Sequence, residues 1–266
     1  MVLIGNILFP VVSIGGLALL FGVVLGLSAK KFAVETNPKV DAIRNVLPGA
    51  NCGGCGFPGC AVYAEHVAIG EANHNSCGPG GPETSASIAA LMGIDAEPAN
   101  RKVAYIKCNG TINDVKHNYI YDGPKSCVSA SQLAAGGCKG CKFSCTGHGS
   151  CVNACQFGAI DIINGIAVIN PEKCTACEQC ISVCPKFLIE MVPYASKVRV
   201  ACNSLDKGSV VRDNCRAGCI GCKICEKHCP ENAITVTNNL AVIDYAKCTQ
   251  CKICVDKCPT KVIKIS

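Results

Sequence analysis

Three stretches of the chain share one cysteine spacing, C-x2-C-x2-C-x3-C-P, over Cys174–Pro185, Cys219–Pro230 and Cys248–Pro259. Three thiolates on so tight a loop can grip one iron–sulfur cube, while the fourth, before proline, serves a second site. Cys52, Cys55, Cys60 and Cys77 follow another pattern, C-x2-C-x4-C-x16-C, in a glycine-rich loop. A further stretch, CKFSCTGHGSCVNAC (141–155), is an imperfect copy of CRAGCIGCKICEKHC (215–229). Four cysteines coincide without a gap, and His148 stands where the second copy has Cys222. The chemistry on offer is thiolate ligation of metal and one-electron transfer. Zinc ribbons also use C-x2-C pairs, but three successive triples, each completed by Cys-Pro, favour clusters.

The rest of the composition agrees. Cysteine makes up 25 of 266 residues, and dense C-x-x-C runs in a long chain suit metal centres better than separate disulfides. No dinucleotide fingerprint, phosphate loop or nucleophile–base arrangement is present, and the five histidines are scattered. The formal charge of +6 counts cysteines as neutral thiols. Five thiolate-bound clusters would bring it to about −4, so the basic balance does not point to nucleic acid.

These ligands must be positioned by small elements. Residues 155–185 repeat at 229–259, an offset of 74, and each copy sets two cysteine runs around a short segment. Ile160 and Ile162, then Ile166 and Val168, alternate about a turn, which predicts a hairpin. Pro58 is expected to start a helix with Ala61, Ala64, Val67 and Ala68 on one face, its N-terminal amides toward the Cys52–Cys77 site. Gly53, Gly54, Gly56 and Gly59 are expected to let amides approach the sulfurs. GPGGPETS (78–85) reads as a linker. Residues 2–27 carry no charge and exceed the ~20 residues that span a ~30 Å bilayer core. Lys30 and Lys31 follow, so the remainder is expected on the cytoplasmic side. The expected fold class is α+β, divided as 1–29 (transmembrane helix), 30–100 (small helical single-cluster domain with linker), 101–198 and 199–266 (two dicluster units).

Residues 126–266 resemble two tandem dicluster bacterial ferredoxins. That resemblance assigns Cys219, Cys222, Cys225 and Cys258 to one [4Fe–4S] cluster and Cys229, Cys248, Cys251 and Cys254 to another. Cys155, Cys174, Cys177 and Cys180 make a third. Gln156 replaces the usual proline after Cys155. Cys145, Cys151 and Cys184 need a fourth ligand. Cys141 is the expected one, with Cys138, His148 or a three-ligand cluster as alternatives. Cys108, Cys127, Cys138, Cys202 and Cys215 are left over, as buried thiols or, for Cys202 and Cys215, a pair.

The Cys52–Cys77 loop is similar to the single-cluster domain of the B-subunit family of Rnf electron-transport complexes, and related domains occur in corrinoid iron–sulfur proteins. The order of apolar helix, single-cluster domain and tandem ferredoxins resembles the Rnf family over the whole chain. The resemblance implies five [4Fe–4S] clusters in an electron-transfer subunit tethered to the cytoplasmic membrane by a single span. Its implied partners are soluble ferredoxin, membrane subunits and flavin- or NAD-bearing subunits of an ion-translocating ferredoxin:NAD oxidoreductase. A lysine-rich C-terminal unit, seven lysines against four acidic residues from Cys219 to Ser266, is the expected docking end for an acidic ferredoxin.

Overall fold

The structure, a computed structural model, describes residues 2–32, 37–96 and 101–265. The first element, α1 (Val2–Lys31), stands apart, and its described apolar side chains between Val12 and Leu27 are exposed. It is apolar on every side, and Ile14–Lys31 is long and apolar enough to cross a membrane.

Three helices build the next unit: α2 (Pro38–Val46), α3 (Cys60–Ala68) and α4 (Gly81–Met92). Asn37 caps α2, its side chain accepting from the Lys39 amide at 3.0 Å, and Pro38 fits the first turn because its missing N–H is unneeded there. The helices close on Ile43, Leu47, Tyr63, Ala64, Val67 and Ile88. Tyr63, rather than Ala61 or Ala68, joins Ala64 and Val67 as a buried residue of α3. The expected linker is largely helix. Pro82 sits in the first turn of α4, where proline is tolerated, and Ser85, Ile88 and Ala89 are buried.

Two units of the same plan follow. In the first, β1 (Lys102–Ile106) pairs antiparallel with the later β4 (Ile189–Pro193). Between them lie α5 (Cys127–Ser131), α6 (Ser150–Ala154), the hairpin β2 (Ile160–Ile163)–β3 (Ile166–Ile169) and α7 (Gln179–Ser182). In the second, β5 (Val198–Val200) pairs with β8 (Ile263–Ile265), enclosing α8 (Gly208–Asn214), α9 (Ile224–Lys227), the hairpin β6 (Ile234–Thr237)–β7 (Leu240–Ile243) and α10 (Ile253–Lys257). The hairpin turns carry positive φ at both central residues, Asn164 (49°) and Gly165 (74°), then Asn238 (49°) and Asn239 (64°). That is the turn whose twist matches paired strands. In the first hairpin Ile160 and Ile166 are buried while Ile162 and Val168 are exposed, so the alternation expected on one face is only half realised.

The cores of both units mix aliphatic residues with cysteines: Ile160, Ile166 and Leu188 in the first, Val198, Ile234, Leu240 and Ile263 in the second. Units this small bury too little apolar surface to fold strongly alone, so their stability is coupled to what the cysteines bind. The long segment between β1 and α6 leaves the first unit and touches the second. Lys116 N–H donates to Asn214 O (3.0 Å), Arg216 N–H donates to Asp114 O (2.8 Å), and Lys142 pairs with Asp206 (3.2 Å).

Candidate metal centres

Four cysteine groups converge as sets. Cys155, Cys174, Cys177 and Cys180 line a cavity of about 330 Å³, and Cys229, Cys248, Cys251 and Cys254 one of about 330 Å³. Cys219, Cys222, Cys225 and Cys258 line one of about 320 Å³. Cys52, Cys55 and Cys60 lie beside Cys77. Burial is the largest influence raising the Cys77 thiol and, against an opposing hydrogen bond from the Gly80 amide, the charges of Cys60, Cys55 and Cys52 add to it, reaching about 11. Burial first, with like-charged set-mates, likewise pushes Cys180 up to about 12 and Cys225 and Cys254 up to about 11. Four thiolates packed this way repel one another unless a cationic centre sits among them.

The loops are shaped for that centre. Residues on both sides of each middle cysteine have positive φ: Ala176 (59°) and Glu178 (62°) about Cys177, Gly221 (64°) and Lys223 (59°) about Cys222, Gln250 (60°) and Lys252 (66°) about Cys251. Left-handed backbone at the five non-glycine positions costs on the order of 1 kcal/mol each, which ligation can offset. Amides donate to the sulfurs: Ala104 to Cys174, Ala159 to Cys155 and Ala233 to Cys229, each at 3.3 Å, favouring the thiolate form. Among the described residues no three His, Cys, Asp or Glu side chains are close enough to hold a single ion. Thiolates around one zinc would stand about 3.8 Å apart. The cavities therefore suit a cluster, a larger body than one ion, and the donor set is the all-thiolate one that [4Fe–4S] centres use.

The irregular copy resolves differently from expectation. Cys145, Cys151 and Cys184 line a cavity of about 340 Å³, and the fourth cysteine there is Cys127. Cys141 lines a different cavity. The loop keeps the frame of its intact copy, with positive φ at Gly147 (77°) and Gly149 (77°) in the register of Gly221 and Lys223. It has not re-formed around Cys141. Ser144 donates to Cys141 O from its amide (3.0 Å) and hydroxyl (2.7 Å), a tight turn that holds Cys141 in the other cavity. Ser126 caps α5, and the Cys127 amide donates to Ser150 Oγ at 3.0 Å, pinning the start of α5 against α6. Burial alone would raise the Cys127 thiol. Hydrogen bonds from the Thr146 and Ser150 side chains and from the Ser150 and His148 amides outweigh it and leave the thiol below its ordinary value. His148 is not among the lining residues of that cavity, and its ring packs at a 51° tilt against Tyr121, with centroids 4.6 Å apart. Its pKa is lowered by burial and then by the charge of Lys139. No spacing rule reaches Cys127, eighteen residues before Cys145 on a separate helix.

Lys139, only 4% exposed, sits beside this site and donates to Gly110 O (3.0 Å) and Gly165 O (2.8 Å). Lys139→Met should strip both carbonyls of a charged donor and cost about 2–3 kcal/mol. The midpoint for thermal bleaching of the clusters should fall accordingly, and an unchanged midpoint would refute a structural role for the ammonium.

The N-terminal loop docks on the first ferredoxin-like unit. The Gln179 side chain donates to Cys52 O. A Cβ on Gly54 would stand 2.9 Å from Cys177 Cα and O, and one on Gly78 would stand 2.7 Å from Thr175 O. The glycines at 54 and 78 are there for backbone-to-backbone approach between two cysteine loops, beyond any approach of amides to sulfur. Cys177 feels that approach: burial raises its thiol most, the Gln179 amide opposes this, and the charge of Cys52 raises it further.

Comparison with known proteins places these loops in named families. An Fe-S cluster family model matches residues 47–79, a 4Fe-4S binding domain model 167–190 and a 4Fe-4S dicluster domain model 218–262. The chain is 44% identical over 246 residues to the B subunit of the Na(+)-translocating ferredoxin:NAD(+) oxidoreductase complex of Acetobacterium woodii, covering 92% of this chain and 74% of the relative. It is 42% identical to the B subunit of the ion-translocating oxidoreductase complex of Methanosarcina acetivorans, over 88% of this chain and 89% of that protein. Identity to the B subunit of the proton-translocating ferredoxin:NAD(+) oxidoreductase complex of Clostridium ljungdahlii is 43%, over 86% and 81%.

Proposed function

Since the chain belongs to the B-subunit family of Rnf, the ion-translocating ferredoxin:NAD oxidoreductase complexes, we propose that it takes electrons from reduced soluble ferredoxin at its C-terminal unit and delivers them at its N-terminal loop to membrane partners. Its coarser role, an iron–sulfur electron-transfer subunit of an oxidoreductase complex, follows from the family and its 4Fe-4S domains. Flavin and NAD belong to other subunits in this reading. In this reading helix α1 is the membrane tether, and Lys30 and Lys31 at its end support a cytoplasmic side for the cysteine-bearing units.

Bound [4Fe–4S] clusters supply one-electron redox chemistry, with potentials set by charge, hydrogen bonding to sulfur and exposure. The five ligand sets proposed are Cys52, Cys55, Cys60 and Cys77; Cys127, Cys145, Cys151 and Cys184; Cys155, Cys174, Cys177 and Cys180; Cys219, Cys222, Cys225 and Cys258; and Cys229, Cys248, Cys251 and Cys254. What the chain itself contributes is placement: loops that hold the sets in fixed order, and amides that support thiolate charge.

One observation carries the choice of docking end. Of all 25 cysteines only Cys222 and Cys251 are exposed, both lie in the C-terminal unit, and each is followed by an exposed lysine, Lys223 and Lys252. A ligand at the surface shortens the path to an external donor, and the lysines steer an acidic one. Lys223→Glu, Lys252→Glu and Lys257→Glu combined should slow ferredoxin oxidation at low salt by roughly tenfold or more and flatten its salt dependence. A rate and salt response equal to wild type would reject docking here.

A further inference from the structure

The fifth of the cysteine-lined cavities falls outside the ligand sets just assigned. Four cysteines line it: Cys108, Cys141, Cys202 and Cys215. We propose that these four cysteines ligate a sixth [4Fe–4S] cluster, seated between the two ferredoxin-like units. The inference rests on the iron–sulfur reading of the other five sites.

The four come from four separate segments: the residues after β1, the loop before α6, the residues after β5 and the end of α8. No local motif explains their meeting. Cys141 and Cys215 occupy the same register of the internal repeat, so equivalent positions of the two units face one cavity. Cys108 and Cys202 are related through the fold instead: each stands two residues after the first strand of its unit, β1 or β5, and accepts from the amide of Cys145 or Cys219, which share a register. The isolated bridge Val115–Cys215 and the bonds joining residues 114–116 to 214–216 hold the segment after Cys108 against the end of α8. Gly110 leaves room beside the sulfurs, because a Cβ there would lie 3.5 Å from Cys215 Sγ and 3.8 Å from Cys108 Sγ. It would also meet Val115 at 2.6 Å.

Each sulfur has backbone donors, as in the assigned sites. Cys145 N–H donates to Cys108 Sγ (3.4 Å), and Ser204 and Cys219 N–H groups donate to Cys202 Sγ (3.4 and 3.3 Å). The amides of Phe143 and Ala217 serve Cys141 and Cys215. All four are free thiols, so no disulfide joins Cys202 to Cys215. With this set, Cys138 alone of the 25 cysteines stands outside a four-cysteine group.

The neighbours give the site its use. Cys145, whose amide bonds Cys108, belongs to a set of the first unit, and Cys219, whose amide bonds Cys202, belongs to a set of the second. A cluster here lies one hydrogen bond from a ligand of each unit, bridging what would otherwise be two separate pairs.

The test compares iron and acid-labile sulfide in anaerobically purified full-length chain, the double variant Cys108→Ser/Cys215→Ser, and Cys138→Ser as control for losing a thiol. Wild type and control should hold about 24 irons per chain and the double variant about 20, four per cluster. Equal iron in wild type and double variant overturns the sixth cluster. If that shared value is about 20 the five-cluster reading survives, and if it is clearly lower that reading falls as well. Should the double variant precipitate, Cys108→Ser alone is read by the electron-spin count of the reduced chain. A lower count than wild type supports the site, and an unchanged count overturns it.

Discussion

Cys127→Ser should cost the chain about four irons, whereas His148→Ala should cost none. Cys127 is the fourth cysteine of the cavity that holds Cys145, Cys151 and Cys184, and the donors around it lower its thiol, against burial, below its ordinary value. Serine keeps the Ser150 contact to the residue-127 amide, so α5 stays in place and the loss falls on ligation. Cys141→Ser removes a thiol from the neighbouring cavity instead. The double variant separates the possibilities: two independent sites lose about eight irons together, and a shared site loses about four. Cys127→Ser with iron equal to wild type would return the fourth-ligand role to another residue. Because metal binding is coupled to folding, the first unit should also be more easily proteolysed in Cys127→Ser.

Gly54→Val and Gly78→Val should separate the N-terminal loop from the first ferredoxin-like unit. Each new side chain meets backbone at Cys177 or Thr175 that has no rotamer to yield. Overpacking of this kind costs about 1–3 kcal/mol per site, so each substitution lowers the docked-to-undocked ratio by roughly 5- to 150-fold. Iron content should stay at the wild-type value, since no ligand is replaced. Reduction of the N-terminal site through the C-terminal unit should slow by a comparable factor. Wild-type kinetics in the double variant would mean that this contact does not govern transfer.

Both expectations depend on contacts that spacing does not contain, and the contrast with what spacing does contain is physical. A C-x2-C-x2-C loop places three sulfurs locally, whatever the rest of the chain does, through two left-handed residues about the middle cysteine. The likeness to dicluster ferredoxins, whose fourth cysteine comes from the other run, is what assigns Cys155 to Cys174–Cys180, Cys258 to Cys219–Cys225 and Cys229 to Cys248–Cys254, although Gln156 stands where that pattern has proline. The hairpins were legible because Asn-Gly and Asn-Asn tolerate the positive φ their turns need. GPGGPETS misled because glycine and proline mark helix starts as well as linkers, and only burial of Ser85, Ile88 and Ala89 decides between them.

The tertiary structure alone decided where the non-local sulfurs go. Register made His148 a lost ligand and Cys141 its nearest replacement, but proximity along the chain is not proximity in space. The Ser126–Cys127 helix start packs against Ser150, and the turn at Ser144 holds Cys141 in the other cavity. The sequence by itself determined the chemistry, since cysteine runs of this density suit iron–sulfur clusters, and the likeness of its loops and their order to the Rnf B-subunit family. Packing determined which distant cysteines meet, because a group drawn from four segments exists only once those segments have folded together.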